Sequence, residues 1–363
     1  MKNITIITLI YCLFPFTLAG QRYISGRVTD VEDGVPIPAV TVFIANTTVG
    51  TTTDADGYYK LMLPSEGFFQ LSVSHVGYQS FIKEIESGNM SITLDIAMHN
   101  RKLDEVVVSK KVRFRQKDIK LFFNTLLGQN PSKRSIQILN PENVYYFYNS
   151  ETQVLTVSCR EPLQIVNYET GYYIHYILNH FTHNYSTKIT DWSNQYSFAE
   201  LKADNIRQEY NWELKRQKIY NISLVKFIKA LYNNSLHNEG FVLTSFQENT
   251  DSQQDPYQIS LINQDSILTS DHANNSKTLN LSKERLMLIC YGRSVTEEDL
   301  KKIQEMKGKD FIISSGLFMN LLNGDSIRIF PDGTYADKLM MSPVNNSGTL
   351  LGLNLRIPIE YLP

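Results

Sequence analysis

Three sets of residues in this chain could do chemistry. His175, His180 and His183 form its histidine cluster, and a pair three apart can hold a metal ion when both rings leave one helical turn. The surrounding Tyr173-Ile174-His175-Tyr176-Ile177 reads as strand, where positions 180 and 183 point to opposite faces. Polar sheet positions are therefore expected, and no metal site. Cys159 with His175 could act as nucleophile and base, yet no oxyanion-hole glycines and no third member to orient the base can be named. Asp54 and Asp56 could invite calcium, but a calcium loop needs more than two oxygen ligands, and Asp54-Ala55-Asp56-Gly57 has a sufficient reading as a tight turn. There is no phosphate loop, no Gly-x-Ser-x-Gly elbow and no dinucleotide fingerprint. The expectation is no catalytic residue, no cofactor and no metal.

Aromatic content is the unusual feature, with 21 Tyr and 18 Phe in 363 residues. Tyr145, Tyr146, Tyr148, Tyr168, Tyr172, Tyr173 and Tyr176 crowd one sheet-forming stretch. Tyrosines on the outer face of a sheet bind sugars or proteins well, being rigid, wide and polar at the tip. Tyr145, Tyr148, Tyr172 and Tyr176 with His175 are the candidate binding face. The alternative is that tyrosine favours strands and fills half-buried positions.

The elements that would position these residues fall into two parts. From Ile24 to Asp95, short apolar strands alternate with hard turn signals. Ile24–Thr29, Val40–Ile44, Gly50–Thr53, Tyr58–Leu63, Phe68–Ser74, Phe81–Lys83 and Ile92–Ile96 make seven strands, and so many in about 75 residues argue a small Greek-key sandwich. Pro36 and Pro38 fall where the chain crosses between strands and needs no amide donor. The order Gly26-Arg27-Val28, Pro36-Ile37-Pro38-Ala39-Val40, Gly50-Thr51, Thr53-Asp54-Ala55-Asp56-Gly57-Tyr58-Tyr59, Gly77-Tyr78 resembles the carboxypeptidase-regulatory-like domain. The resemblance spans residues 21–108 and includes the tail Leu103-Asp104-Glu105-Val106-Val107-Val108. It implies a transthyretin-like β-sandwich of the kind found in secreted Bacteroidetes proteins, often ahead of a TonB-dependent barrel. The carboxypeptidases beside which that domain is named bind zinc through His-x-x-Glu, and no histidine here has Glu three residues on.

After the sandwich, residues 109–117 read as a basic linker and 118–363 as an α+β domain. Ile119, Phe122, Phe123 and Leu126 form a helical stripe, and Val144 to Leu201 a meander of about five strands. Asn205 to Tyr232 reads as helix, with Ser223 able to cap a second one. Residues 247–280 read as an extended polar insertion with a short strand at Ile259–Ile262. Strands are expected at Leu286–Tyr291, Phe311–Ser314 and Ser326–Phe330, and Thr296 is expected to cap a turn or short helix. Ile138-Leu139-Asn140-Pro141-Glu142, Leu155–Leu163, Gly171-Tyr172, Arg216–Phe227 and Leu231–Asn234 resemble an uncharacterised family of Bacteroides-type secreted proteins. That family's Gly-Ser-Leu-Arg-His-Phe segment here has Ile222, Val225 and Lys226 in place of its Gly, Arg and His, so the resemblance implies location and architecture rather than chemistry.

Residues 1–19 carry one charge, Lys2, and Ile4 to Ala19 is nearly all apolar, the pattern of a secretory leader. No later stretch is long and apolar enough to span a membrane. A net charge of −2 without a basic block excludes nucleic acid as a favoured partner. Cys159 and Cys290, 131 residues apart, read as two partly buried thiols rather than a bridge. A barrel of about 22 strands does not fit in the roughly 250 residues after the sandwich. The chain is therefore expected to be exported, periplasmic or associated with the outer membrane, and mainly β. The expected role is to bind or scaffold an envelope protein or glycan, as an accessory to nutrient uptake or surface assembly. The alternative is an envelope hydrolase acting on peptide or glycan.

Overall fold

The computed structural model describes residues 22–64, 67–87, 91–100, 115–128, 135–248, 257–280, 285–305, 318–320, 326–336, 342–344 and 358–363. The expected leader 1–19, the tail 103–108, the linker up to residue 114 and the expected strand at 311–314 lie outside these described residues.

The sandwich forms as its alternation dictates. One sheet holds β1 (Tyr23–Asp30), β4 (Tyr58–Met62), β7 (Ile92–Thr93) and β8 (Ile96–Met98); the other runs β3 (Gly50–Thr52), β2 (Thr41–Ile44), β5 (Gly67–Ser74), β6 (Phe81–Ser87). Ile24, Val28, Val42, Ile44, Leu61, Leu71, Val73 and Ile96 fill the space between them. The last of the seven expected strands is broken in two, so the described residues hold eight strand segments. β7 and β8 both run parallel to β1 on one side of it. At the break Leu94 donates its amide to the Ser25 carbonyl at 2.8 Å, and its own carbonyl accepts from the Tyr59 hydroxyl at 2.8 Å. The Arg27 amide donates to Asp95 Oδ1 at 2.8 Å. A Cβ on Gly26 would lie 1.8 Å from the Leu94 carbonyl oxygen, so only glycine admits this approach.

The Asp54–Gly57 turn is likewise a backbone device. Asp54 Oδ1 accepts from the Asp56 and Tyr58 amides at 3.0 and 2.8 Å. Gly57, at φ +78°, turns its carbonyl to the Val28 amide at 2.8 Å.

A second sheet of six strands follows: β9 (Ile136–Ile138), β10 (Val144–Asn149), β11 (Val154–Cys159), β12 (Leu163–Asn167), β13 (Tyr172–Asn184) and β14 (Ile189–Glu200). Its spine is β13, which pairs β14 along its length on one side; on the other side it pairs β12 and then β11. The last strand of the expected meander, β14, runs unbroken to Glu200. Helix α1 (Gln116–Leu127) begins within the stretch expected as linker and seats Phe122 on the core, edge-on to Phe181 at 5.1 Å. Helix α2 (Ile206–Tyr220) is anchored by Trp212, whose Nε1 donates to the Tyr168 carbonyl at 2.8 Å, and by Arg216, whose Nε donates to Thr170 O at 2.7 Å.

Helix α3 (Leu224–Tyr232), capped by Ser223 Oγ on the Lys226 amide, supplies Phe227, Ile228 and Leu231 to a third core. That core is shared by β15 (Phe241–Glu248) and β19 (Arg285–Cys290) of one sheet, whose third strand is β16 (Tyr257–Leu261), with a four-stranded sheet of β17 (Leu268–Asp271), β18 (Ser276–Asn280), β21 (Ser326–Ile329) and β22 (Tyr335–Ala336). The region read as an extended insertion thus carries β16, β17 and β18: Leu279 alternates into the core while Thr278 and Asn280 stay out. Helix α4 (Glu297–Glu305) is capped by Thr296 Oγ1 on the Asp299 amide at 3.2 Å. β20 (Phe318–Asn320) and β23 (Ser342–Val344) pair with each other.

Gly26→Ala is expected to lower stability by about 3 kcal/mol, the upper end of what overpacking ordinarily costs. Gly34→Ala, whose site has nothing within 4 Å at φ +71°, is expected to cost about 1 kcal/mol from backbone conformation alone. Denaturant midpoints of the two variants test the difference.

Candidate functional site

The five residues expected to share a binding face do not share one. Strand β13 alternates, and Tyr172, Ile174 and Tyr176 turn into the core with Phe122, Cys159 and Leu163. Tyr172 and Tyr176 are wholly buried, and burial pushes both phenols above their ordinary range. The Tyr172 ring meets Phe198 at 5.3 Å and carries the Arg216 guanidinium at 4.1 Å. His175 leaves the opposite side of β13 and meets Phe43 of the sandwich edge-on at 6.1 Å. Tyr148 lies under the Arg115 guanidinium at 3.2 Å. Tyr145 alone of the five is exposed, and its neighbour on that side of β10 is Phe147, 61% exposed. The Arg160 guanidinium lies 5.3 Å from the Tyr145 ring. The period-two pattern of Val144–Asn149 was the signal that joined Tyr145 to Phe147 and separated both from Tyr148.

The other chemical candidates separate as well. Cys159 packs in the core beneath Tyr176 while His175 leaves the far side of the sheet, so they make no nucleophile–base pair. Cys159 and Cys290 form no disulfide, and burial pushes the Cys290 thiol up to about 12 despite Lys226 nearby, which leaves it inert. A register shift between Leu178 and His180 turns His180 outward to Asp191 at 3.2 Å. His183 is buried, 2.8 Å from Thr190 Oγ1 and edge-on to Tyr185 at 4.7 Å. Among the described residues no three His, Cys, Asp or Glu side chains gather as metal ligands.

A charged knot marks the entry of α1. Asp118 is buried in the first turn, its carboxylate accepting Arg115 Nε and Nη2 at 2.6 and 2.7 Å and the Tyr185 hydroxyl. Burial alone would raise its pKa; the Arg115 and Tyr185 donors bring it below the ordinary carboxylate value. The arrangement holds α1 to the β13–β14 hairpin and leaves no oxygen turned toward a ligand.

The principal constructed surface is the junction of the two parts. The Asn46 amide donates to the Tyr196 carbonyl at 2.7 Å, and the Phe198 amide donates to the Thr47 carbonyl at 2.8 Å. The turn after β2 thereby extends the edge of β14. Phe43, Ala45 and Ile177 close a small apolar contact beside it. The buried Gln195 accepts from Asn179 Nδ2 at 3.3 Å and donates to Gln70 Oε1 at 3.4 Å. The Ile359 amide donates to the Asn46 carbonyl at 2.9 Å, and Glu360 Oε1 accepts the Thr48 amide and hydroxyl. A second seam joins the Phe68 amide to Thr334 Oγ1 at 2.9 Å and Arg328 to Glu86 at 3.1 Å. His175 sits against this junction with its Nε2 buried and without a hydrogen-bond partner.

Burial depresses the pKa of His175, and that of His183, below the usual histidine value. The unfolded chain takes up a proton below about pH 6.5 where the folded chain resists it, so stability present above that pH is lost as it falls toward the folded pKa. The melting temperature is expected to drop between about pH 7 and 5, and by less in His175→Phe; equal slopes for the two proteins would remove His175 as a cause.

Residues 24–108 match the family model described as CarboxypepD_reg-like domain. TonB-dependent receptor P3 of Formosa agariphila is 32% identical over 96 residues, 26% of this chain and 9% of that protein. TonB-dependent receptor P39 of the same organism is 38% identical over 91 residues, 25% of this chain and 8% of that one. The chain thus spans less than a tenth of the length of these curated relatives. A type II cohesin–X-dockerin complex from Acetivibrio cellulolyticus overlaps 22% of this chain and 58% of its own, at 21% identity and a TM-score of 0.20, too little to argue from. No helix among the described residues is long and apolar enough to cross a membrane. With its broken parallel edge and its Asp54–Gly57 turn, the segment from residue 24 to 108 is a CarboxypepD_reg-like domain.

Proposed function

We propose that this chain is an exported cell-envelope protein that binds or scaffolds an envelope protein or glycan, as an accessory to nutrient uptake or surface assembly. The observation that carries the reading is the seam between its two parts. A CarboxypepD_reg-like domain, of the kind matched in TonB-dependent receptors, is hydrogen-bonded main chain to main chain onto a second sheet. Such a joint turns a small sandwich into a fixed adapter and not a bead on a tether. The absence of converging nucleophile and base around Cys159 and His175 favours this reading over the hydrolase. The binding edge is assigned to β10, where Tyr145, Phe147 and Arg160 offer rigid aromatic area with a cation beside it. Rigid aromatics lose little conformational entropy when a ligand covers them.

Titration of the purified chain with solubilised envelope glycans and envelope proteins tests this. The Tyr145→Ala/Phe147→Ala variant is expected to lose about tenfold in affinity or more with an unchanged melting temperature. Equal binding by the variant would take the site away from β10. Turnover of a glycan or peptide would reinstate the hydrolase.

A further inference from the structure

Helix α2 has two apolar faces, and only one is accounted for. Trp212, Arg216 and Ile219 are buried against the second sheet. On the outer side Ile206, Tyr210 and Leu214 are 84%, 61% and 37% exposed. Their spacing of four places them in one row along the helix, whereas a surface helix ordinarily carries one apolar stripe.

The charges beside that row sort by sign. At 100° per residue, Glu209 and Glu213 fall on one flank of the row and Arg207 and Lys218 on the other; all four are exposed. We propose that this face pairs with the same face of a second copy of the chain, the two helices running parallel about a two-fold axis. In a parallel pair the acidic flank of each helix meets the basic flank of its partner, as e and g positions do in parallel coiled coils. In an antiparallel pair like charges would meet. The stripe is thus complementary to itself, which favours a second copy over an unrelated protein or a lipid surface. Three side chains supply only part of the roughly 800 Å² per partner that a stable interface takes. The pair is therefore weak, dissociating at about 10–100 µM.

Sedimentation velocity of the mature chain between about 5 and 500 µM tests this, at low and at about 0.5 M salt. The sedimentation coefficient is expected to rise with concentration, and less at high salt. Ile206→Lys is expected to abolish the rise with an unchanged melting temperature, since that side chain is 84% exposed. Glu209→Lys alone should weaken association and Glu209→Lys with Arg207→Glu should restore it; Glu213 is left in place because its carboxylate accepts the Tyr361 hydroxyl. A monomer at every concentration, or a dimer indifferent to the lysines, overturns the proposal. So does a monomer that binds vesicles through the stripe, which would make the face a lipid contact.

Discussion

The edge of a β-sheet is a row of unpaired amides and carbonyls, and at β14 that row is met by another part of the same chain. Asn46 and Thr47 pair there with Tyr196 and Phe198, and the surrounding contacts follow from that placement. Phe43 reaches the His175 ring, Gln195 is enclosed between Gln70 and Asn179, and residues 358–360 close over the turn. Covering an edge in this way removes a site for unwanted strand addition and fixes the sandwich to the second sheet. By contrast, β10 pairs among the described residues only with β11, and its sequence Val-Tyr-Tyr-Phe-Tyr-Asn carries no charge to discourage a partner.

Much of the sandwich was legible because its rules are local. Asp54 and Gly57 each do a backbone task within one tight turn that their residue type performs best, so their order is a readable pattern. The break between β7 and β8 was not legible, since it arises where Leu94 meets Gly26 across the sheet, 68 residues away in sequence for the neighbouring Arg27–Asp95 contact. The helix caps at Ser223 and Thr296 were legible for the same local reason. Residues 257–280 misled because polar composition hid the alternation that sends Leu279 inward.

The aromatic face shows where composition stops short. Seven tyrosines in one stretch signal a sheet, but each one's role depends on which side of its strand it leaves. Tyr172 and Tyr176 leave toward α1, Tyr145 away from it, and Tyr148 toward a guanidinium supplied by Arg115. Phe147 leaves on the same side as Tyr145 and lies in solvent. Only the phase of the alternation, set by α1 and by the sandwich on opposite sides of the sheet, sorts them.

The contact of Thr48 with Glu360 spans 312 residues. Contacts so distant in sequence form late, because the whole intervening loop must first be ordered. The joint itself is made by Asn46 and Thr47 on Tyr196 and Phe198, and the Glu360 contact is added over that turn. Until Asn46 and Thr47 reach it, the β14 edge stands open, and a chain in that state is exposed to misassembly with its neighbours.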